Sequence, residues 1–120
     1  LAMTTVVLWV SDLDRSVKFY SALFEAKHPY VTVGFASVEG NGNEVLIHLL
    51  PEQYRSEPTS GEDNPIKPVF EVVSLEKAKL AAGSNGGKIK SEISEYESWK
   101  YADGQDPDGN IIQVRERIGY

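Results

Sequence analysis

The sequence predicts an α+β domain built from two tandem βαβββ modules whose curved sheets enclose a cleft. Three observations carry this. Short apolar runs of strand length alternate with amphipathic stretches of helix length. The order strand, helix, strand, strand, strand occurs twice along the 120 residues. Sliding the chain so that Val7 lies on Val69 also brings Val10 onto Val72, Leu13 onto Leu75, Asp14 onto Glu76 and Arg15 onto Lys77. That repeat is degenerate but keeps its order. The whole chain, 1–120, is the size of one domain. Module one spans 4–50, a linker 51–65 and module two 66–118.

"VVLWV" (Val6–Val10) is too short for a helix and long enough for a strand. In "SDLDRSVKFYSALFEA", Ser11 and Asp14 suit a capping box and Asp12 is an equally good N-cap. Leu13, Val17, Tyr20 and Phe24 recur at helical spacing and form one apolar face. "PYVTVGFASVEG" and "EVLIHLL" read as strands joined at Asn41–Asn43, where "NGN" is a strong hairpin signal. Pro51 to Pro65 is polar and turn-rich. "PVFEV" and "SLEKAKLAA" then restart the pattern, followed by "KIKSEIS", "SWKYADG" and "NIIQVRE" as strands. "GNGNE" and "GSNGG" lack the strand-to-helix placement of a phosphate cradle and read as turns.

Composition narrows the function classes. The absence of cysteine excludes disulfides, thiolate metal sites and thiol nucleophiles, and suits a reducing, cytoplasmic compartment. No apolar run is long enough to span a membrane. A net charge of −6, with scattered Lys and Arg, disfavours nucleic acid and suits a cationic ligand. Leu1 and Ala2 precede Met3, a candidate native start.

Strand alternation assigns faces. Val6, Leu8 and Val10, with Pro68, Phe70 and Val72, go to the helices. Thr5, Val7 and Trp9, with Lys67, Val69 and Glu71, are left for the concave side. The last strands place Leu46, His48 and Leu50, and Ile111, Gln113 and Arg115, on that same side, with His48 and Gln113 in one slot of the two copies. A slip of one residue reverses all of this.

"VVLWVSDLDRSVKFYSALF" and "DPDGNIIQV" (residues 106–114) resemble the vicinal oxygen chelate superfamily, which includes glyoxalase, bleomycin-resistance proteins and extradiol dioxygenases. The likeness covers nearly the whole chain and implies the glyoxalase/bleomycin resistance fold and a homodimer with two clefts. Metal enzymes of the family place ligands at the start of each module's first strand and in each module's last strand. Carried over, those slots hold Thr5, His48, Lys67 and Gln113. A divalent ion prefers imidazole and carboxylate donors, and a protonated lysine has no lone pair to offer. No metal and no cofactor is therefore expected, and the metal-free bleomycin-resistance branch is the closest in character.

The expected ligand-binding residues are Trp9, Phe35, His48, Lys67, Glu71, Trp99, Tyr101 and Gln113. Each has a plainer reading beside it. His48 fits equally well as a satisfied interior histidine. Lys67 either reaches an anionic ligand or, the better reading, pairs with Glu71 two residues along. Trp9 and Trp99 suit cleft walls and core or interface filling alike, and Phe35 suits the core better. The expected function is small-molecule sequestration in an aromatic-lined cleft without a metal, the ligand being cationic or aromatic. The alternatives are a glyoxalase-like lyase or isomerase using His48 or Glu71 for proton transfer, and a regulatory domain with a vestigial cleft.

Overall fold

A computed structural model describes residues 4–58, 61 and 63–119; Leu1, Ala2 and Met3 lie outside it. Module one runs β1 (Thr4–Val10), α1 (Leu13–Phe24), β2 (Tyr30–Val31), β3 (Phe35–Gly40) and β4 (Asn43–Leu49). Module two runs β5 (Val69–Glu71), α2 (Leu75–Ser84), β6 (Lys88–Ile89), β7 (Ser94–Tyr96), β8 (Trp99–Gln105) and β9 (Ile111–Arg117). The first sheet has the order β1-β4-β3-β2. The second has the order β5-β9-β8-β6, with β7 also on β8. In each, the first strand pairs parallel with the last, and the helix makes the crossover. The α+β fold of two repeated modules is what the sequence predicts.

Local chemistry explains the elements. Asp12 is the N-cap of α1 and accepts the Arg15 N–H, while Ser74 does the same for Lys77 in α2. Asn41 and Gly42 both have positive φ, the conformation a two-residue hairpin needs between β3 and β4. "PYVTVGFASVEG" is two strands rather than one, folded back so that Tyr30 faces Ser37 and Val31 faces Ala36.

"KIKSEIS" is likewise broken. Ile89 pairs with Gly104, and Lys90 donates its N–H to Asp103 O, but Ser94 pairs with Tyr101. Ser91, Glu92 and Ile93 therefore stand against Ala102 alone, an enlarged bulge in this edge.

The two modules share one core. Helix α1 buries Phe19, Tyr20, Leu23 and Phe24, more than the single stripe predicted, because it packs on the first sheet and also meets α2. Phe70 of β5 lies 5.8 Å from the Tyr20 ring and 5.2 Å from the Phe24 ring. Gly87 leaves room for Phe19, whose ring a Cβ there would strike.

Polar ties reinforce the junction. The Asn43 side chain donates to Glu71 O and accepts the Glu71 N–H. Asp106, only 3 % exposed, accepts the Tyr20 hydroxyl. Asp108 accepts from Ser11 N, Ser16 Oγ and Arg15. "DPDGN" thus clamps the start of α1 to module two. The linker follows the surface: Ser56 N–H donates to Ser11 Oγ and Gly61 N–H to Gly109 O. Among the described residues no helix is long and apolar enough to cross a membrane.

Candidate functional site

Alternation along β1, β4 and β9 leaves one face of each sheet uncovered, and these open faces hold the candidate site residues. On the first sheet, parallel pairing sets Trp9 beside His48, and their rings stack with centroids 4.5 Å apart. Phe35 sits opposite His48 on β3, its ring 4.9 Å away. Tyr30 extends the row, 6.5 Å from Phe35. Trp9 remains 56 % exposed and Val7 53 %. This is a row of rings open to solvent, and Phe35 belongs to it rather than to the core. At the other end of β1, the Thr5 hydroxyl donates to Glu44 at 2.6 Å.

The open face of the second sheet is polar. Lys67 does not pair with Glu71 as the sequence suggests. Its Nζ lies 3.1 Å from Asp103 Oδ1, while Glu71 faces Arg115 at 3.9 Å. The reason is register: Asp103 stands opposite Gln113, which stands beside Val69, so β8 brings its carboxylate under the residue leading into β5. The Gln113 amide also donates to Asp103, at 2.9 Å. Burial pushes the Asp103 carboxyl up. The hydrogen bonds from Gln113 and Lys67 and the charges of Lys67 and Lys90 outweigh it and hold the pKa below the usual carboxylate range.

Trp99 is covered by its own chain. The Arg115 and Arg117 guanidinium carbons lie 3.8 and 4.3 Å from its ring centroid. Between β8, β9 and the broken edge strand is a cavity of about 520 Å³, lined among others by Lys90, Ser94, Tyr96, Tyr101, Asp103 and Gln113. Strand alternation places Arg115 on the open face, whereas Asp103, Arg117, Tyr96 and Glu44 are not singled out from the sequence. Asp103 was within reach, since it shares the parity of Trp99 and Tyr101 on one strand.

Strand register also revises the equivalence between the copies. Val7 pairs with Leu46 and Trp9 with His48, whereas Val69 pairs with Gln113 and Glu71 with Arg115. With Val7 laid on Val69, the counterpart of Gln113 is Leu46, and the counterpart of His48 is Arg115. The slots carried over from the family's metal enzymes are Thr5, His48, Lys67 and Gln113, and the register sets His48 and Gln113 at different heights along the two modules. The Thr5 hydroxyl already donates to Glu44 and the Lys67 ammonium is ion-paired, which leaves one imidazole and one amide, too few donors to fit a divalent ion. His48 itself lies between two aromatic rings. Among the described residues, no three His, Cys, Asp or Glu side chains group closely enough to hold an ion.

Comparison with known proteins agrees with this architecture. The Glyoxalase/Bleomycin resistance protein/Dioxygenase superfamily model matches residues 2–114. A search of curated proteins found no match. Among solved structures, a glyoxalase/bleomycin resistance protein from Albidiferax ferrireducens T118 is 22 % identical. It has a TM-score of 0.70, with 96 % of this chain and 98 % of that one covered. A glyoxylase/bleomycin resistance protein/dioxygenase domain from Frankia sp. EAN1pec is 17 % identical, with TM-score 0.71 and 98 % of both chains covered. The fosfomycin resistance protein FosX from Mesorhizobium loti is 14 % identical, with TM-score 0.67, covering 96 % of this chain and 91 % of its own. At these identities the likeness is one of fold. With nearly the full length matched and the doubled βαβββ architecture observed, the chain belongs to the glyoxalase/bleomycin resistance protein/dioxygenase superfamily.

Proposed function

We propose that this protein is a small-molecule binder that holds a planar, aromatic or cationic ligand without a metal ion, as a cytoplasmic homodimer. The observation that carries the reading is the open row of Trp9, His48 and Phe35 on a sheet whose slot residue at the start of β1, Thr5, is a poor metal donor already bonded to Glu44. A flat ligand laid on Trp9 gains stacking or cation–π energy of about 1 kcal/mol per ring, beyond the apolar area it covers. The second sheet offers hydrogen-bonding groups, namely Gln113, Tyr101 and the Lys67–Asp103 pair. Trp99, already under two guanidiniums, adds shape rather than a free ring face.

Among the described residues nothing of the same chain covers either open face, because the modules meet through their helices. A second copy bringing its polar sheet over the aromatic one would complete a cleft, and two-fold symmetry would make two. Exposed Val7, Trp9, Tyr30 and Val69 and, among the described residues, the unpaired edge of β1 support that assembly.

The test is a thermal-shift panel of planar aromatic cations, neutral aromatics and aliphatic amines, run on the protein and on Trp9→Ala. Saturating ligand, at 100 times its Kd, stabilises by about 2.7 kcal/mol. Trp9→Ala is expected to weaken a stacked ligand about tenfold. Turnover of a bound compound, lost in His48→Ala or Glu71→Gln, would favour the lyase or isomerase reading. An unmoved melting point across the panel would contradict ligand binding and favour a vestigial cleft.

A further inference from the structure

A second cavity lies on the other side of the second sheet, between α2 and the sheet's broken edge, with a volume of about 430 Å³. Its origin is visible in the chain. Helix α2 buries only Leu75, Ala78 and Ala82, where α1 buries four large side chains, so little fills the space above Ala102. The bulge at Ser91–Ile93 then carries the edge strand away from β8. Alternation persists through the bulge. Glu92, Ser94 and Tyr96 line the open-face cavity, while Ile89, Ser91 and Ile93 line the one behind.

The lining has a definite chemistry. Leu75, Ile89, Ile93 and Ala102 make an apolar floor and wall. Lys79, Lys90 and Lys100 stand at the rim, against Glu76 and Glu116. Glu116 is committed, accepting the Leu75 N–H at 2.7 Å and lying 3.4 Å from Lys100. Lys79 has a hydroxyl as its partner, Ser91 Oγ at 2.6 Å, and among the described residues no carboxylate pairs with it. In a chain of net charge −6 this rim is locally positive. The volume falls in the range of small-molecule pockets, which pair an apolar lining with a few placed polar groups.

We propose that the cavity behind the sheet is a second binding site, which takes a small amphiphile with a short apolar chain and a carboxylate head. The chain lies against Ile89, Ile93 and Leu75, and the carboxylate meets Lys79 at the mouth. This site is independent of the aromatic row and stands or falls separately.

Octanoate is the probe, titrated into the full chain and followed by methyl proton–carbon NMR. The expected result is saturable shifts at Leu75, Ile89 and Ile93, with Val7 and Leu46 on the aromatic face unmoved. Lys79→Glu, at an exposed position, should weaken octanoate by about fivefold, and octan-1-ol should bind the unaltered protein weaker than octanoate by a similar factor. Ile93→Asp, at a position 52 % exposed, should abolish binding without unfolding the chain. The proposal is overturned by the absence of saturable shifts, by shifts centred on the aromatic face, or by octanoate affinity unchanged in Lys79→Glu.

Discussion

Removing one hydroxyl, by Tyr20→Phe, tests how the two modules are held together. Tyr20 is fully buried, and its hydroxyl donates to Asp106 Oδ2 at 2.7 Å. Asp106 also accepts from Asp108 N, Asn110 N and Asn110 Nδ2, so the variant leaves a buried carboxylate with three donors of four. A hydrogen bond to a charged group contributes ~1.5–3 kcal/mol, and the low exposure places this one in the upper half, at about 2–3 kcal/mol. For a domain of this size each kcal/mol corresponds to ~4 °C, so the melting temperature should fall by ~8–12 °C.

The pH dependence gives a second handle. Burial pushes the Asp106 carboxyl up, against the hydrogen bonds from Tyr20 and Asn110 that pull it down. A carboxyl whose folded pKa is raised stabilises the fold below its unfolded value, and that contribution is lost as pH rises through the folded pKa. Tyr20→Phe removes a downward pull, so its deficit should be largest at neutral pH. The deficit should shrink as acid protonates Asp106. Urea denaturation at pH 7 and pH 5, followed by tryptophan fluorescence, measures both. A loss under about 0.5 kcal/mol at pH 7, or a deficit that grows on acidification, would refute the reasoning.

Lys67→Gln removes a half-exposed pair and should cost under about 1 kcal/mol of stability. It should also raise the Asp103 pKa, since two of its downward pulls come from Lys67; an unmoved carboxyl in an NMR titration would contradict the pairing. The depressed Asp103 stabilises the fold above its unfolded pKa, and this is lost as pH falls through the folded value, so the variant's deficit should vanish in acid. Val7→Lys, on the exposed aromatic face, should convert the proposed dimer to a folded monomer in sedimentation. A monomeric unaltered protein would remove the basis for a two-chain cleft.

Much of this architecture is legible in the residues because it rests on short-range rules. Asp12 and Ser74 cap helices for a local reason, Asn41–Gly42 fixes a turn, and period-two alternation along "VVLWV" and "NIIQV" sorts core from open face. What escapes the sequence is set by distances across strands. Lys67 finds Asp103 rather than Glu71 because β8, far along the chain, supplies a nearer carboxylate. His48 aligns with Arg115 rather than Gln113 because the last strand of each module pairs with its first strand in a different register, a match across the sheet that local sequence does not specify. Phe35 sits in the aromatic row for a similar reason: its neighbour His48 is chosen by the antiparallel register of β3 on β4. The cavity behind the second sheet depends on a bulge and on two alanines, neither of which marks itself as a site.

The central proposal is that the cleft works without a metal ion, because, of the slots carried over from the family's metal enzymes, Thr5, His48, Lys67 and Gln113, only His48 is a strong donor. Calorimetric titration with zinc, nickel and manganese, on protein purified without chelator and analysed for metal content, tests it most directly. The account predicts no stoichiometric ion and no saturable heat. One tightly held ion per cleft, released by His48→Ala, would contradict it.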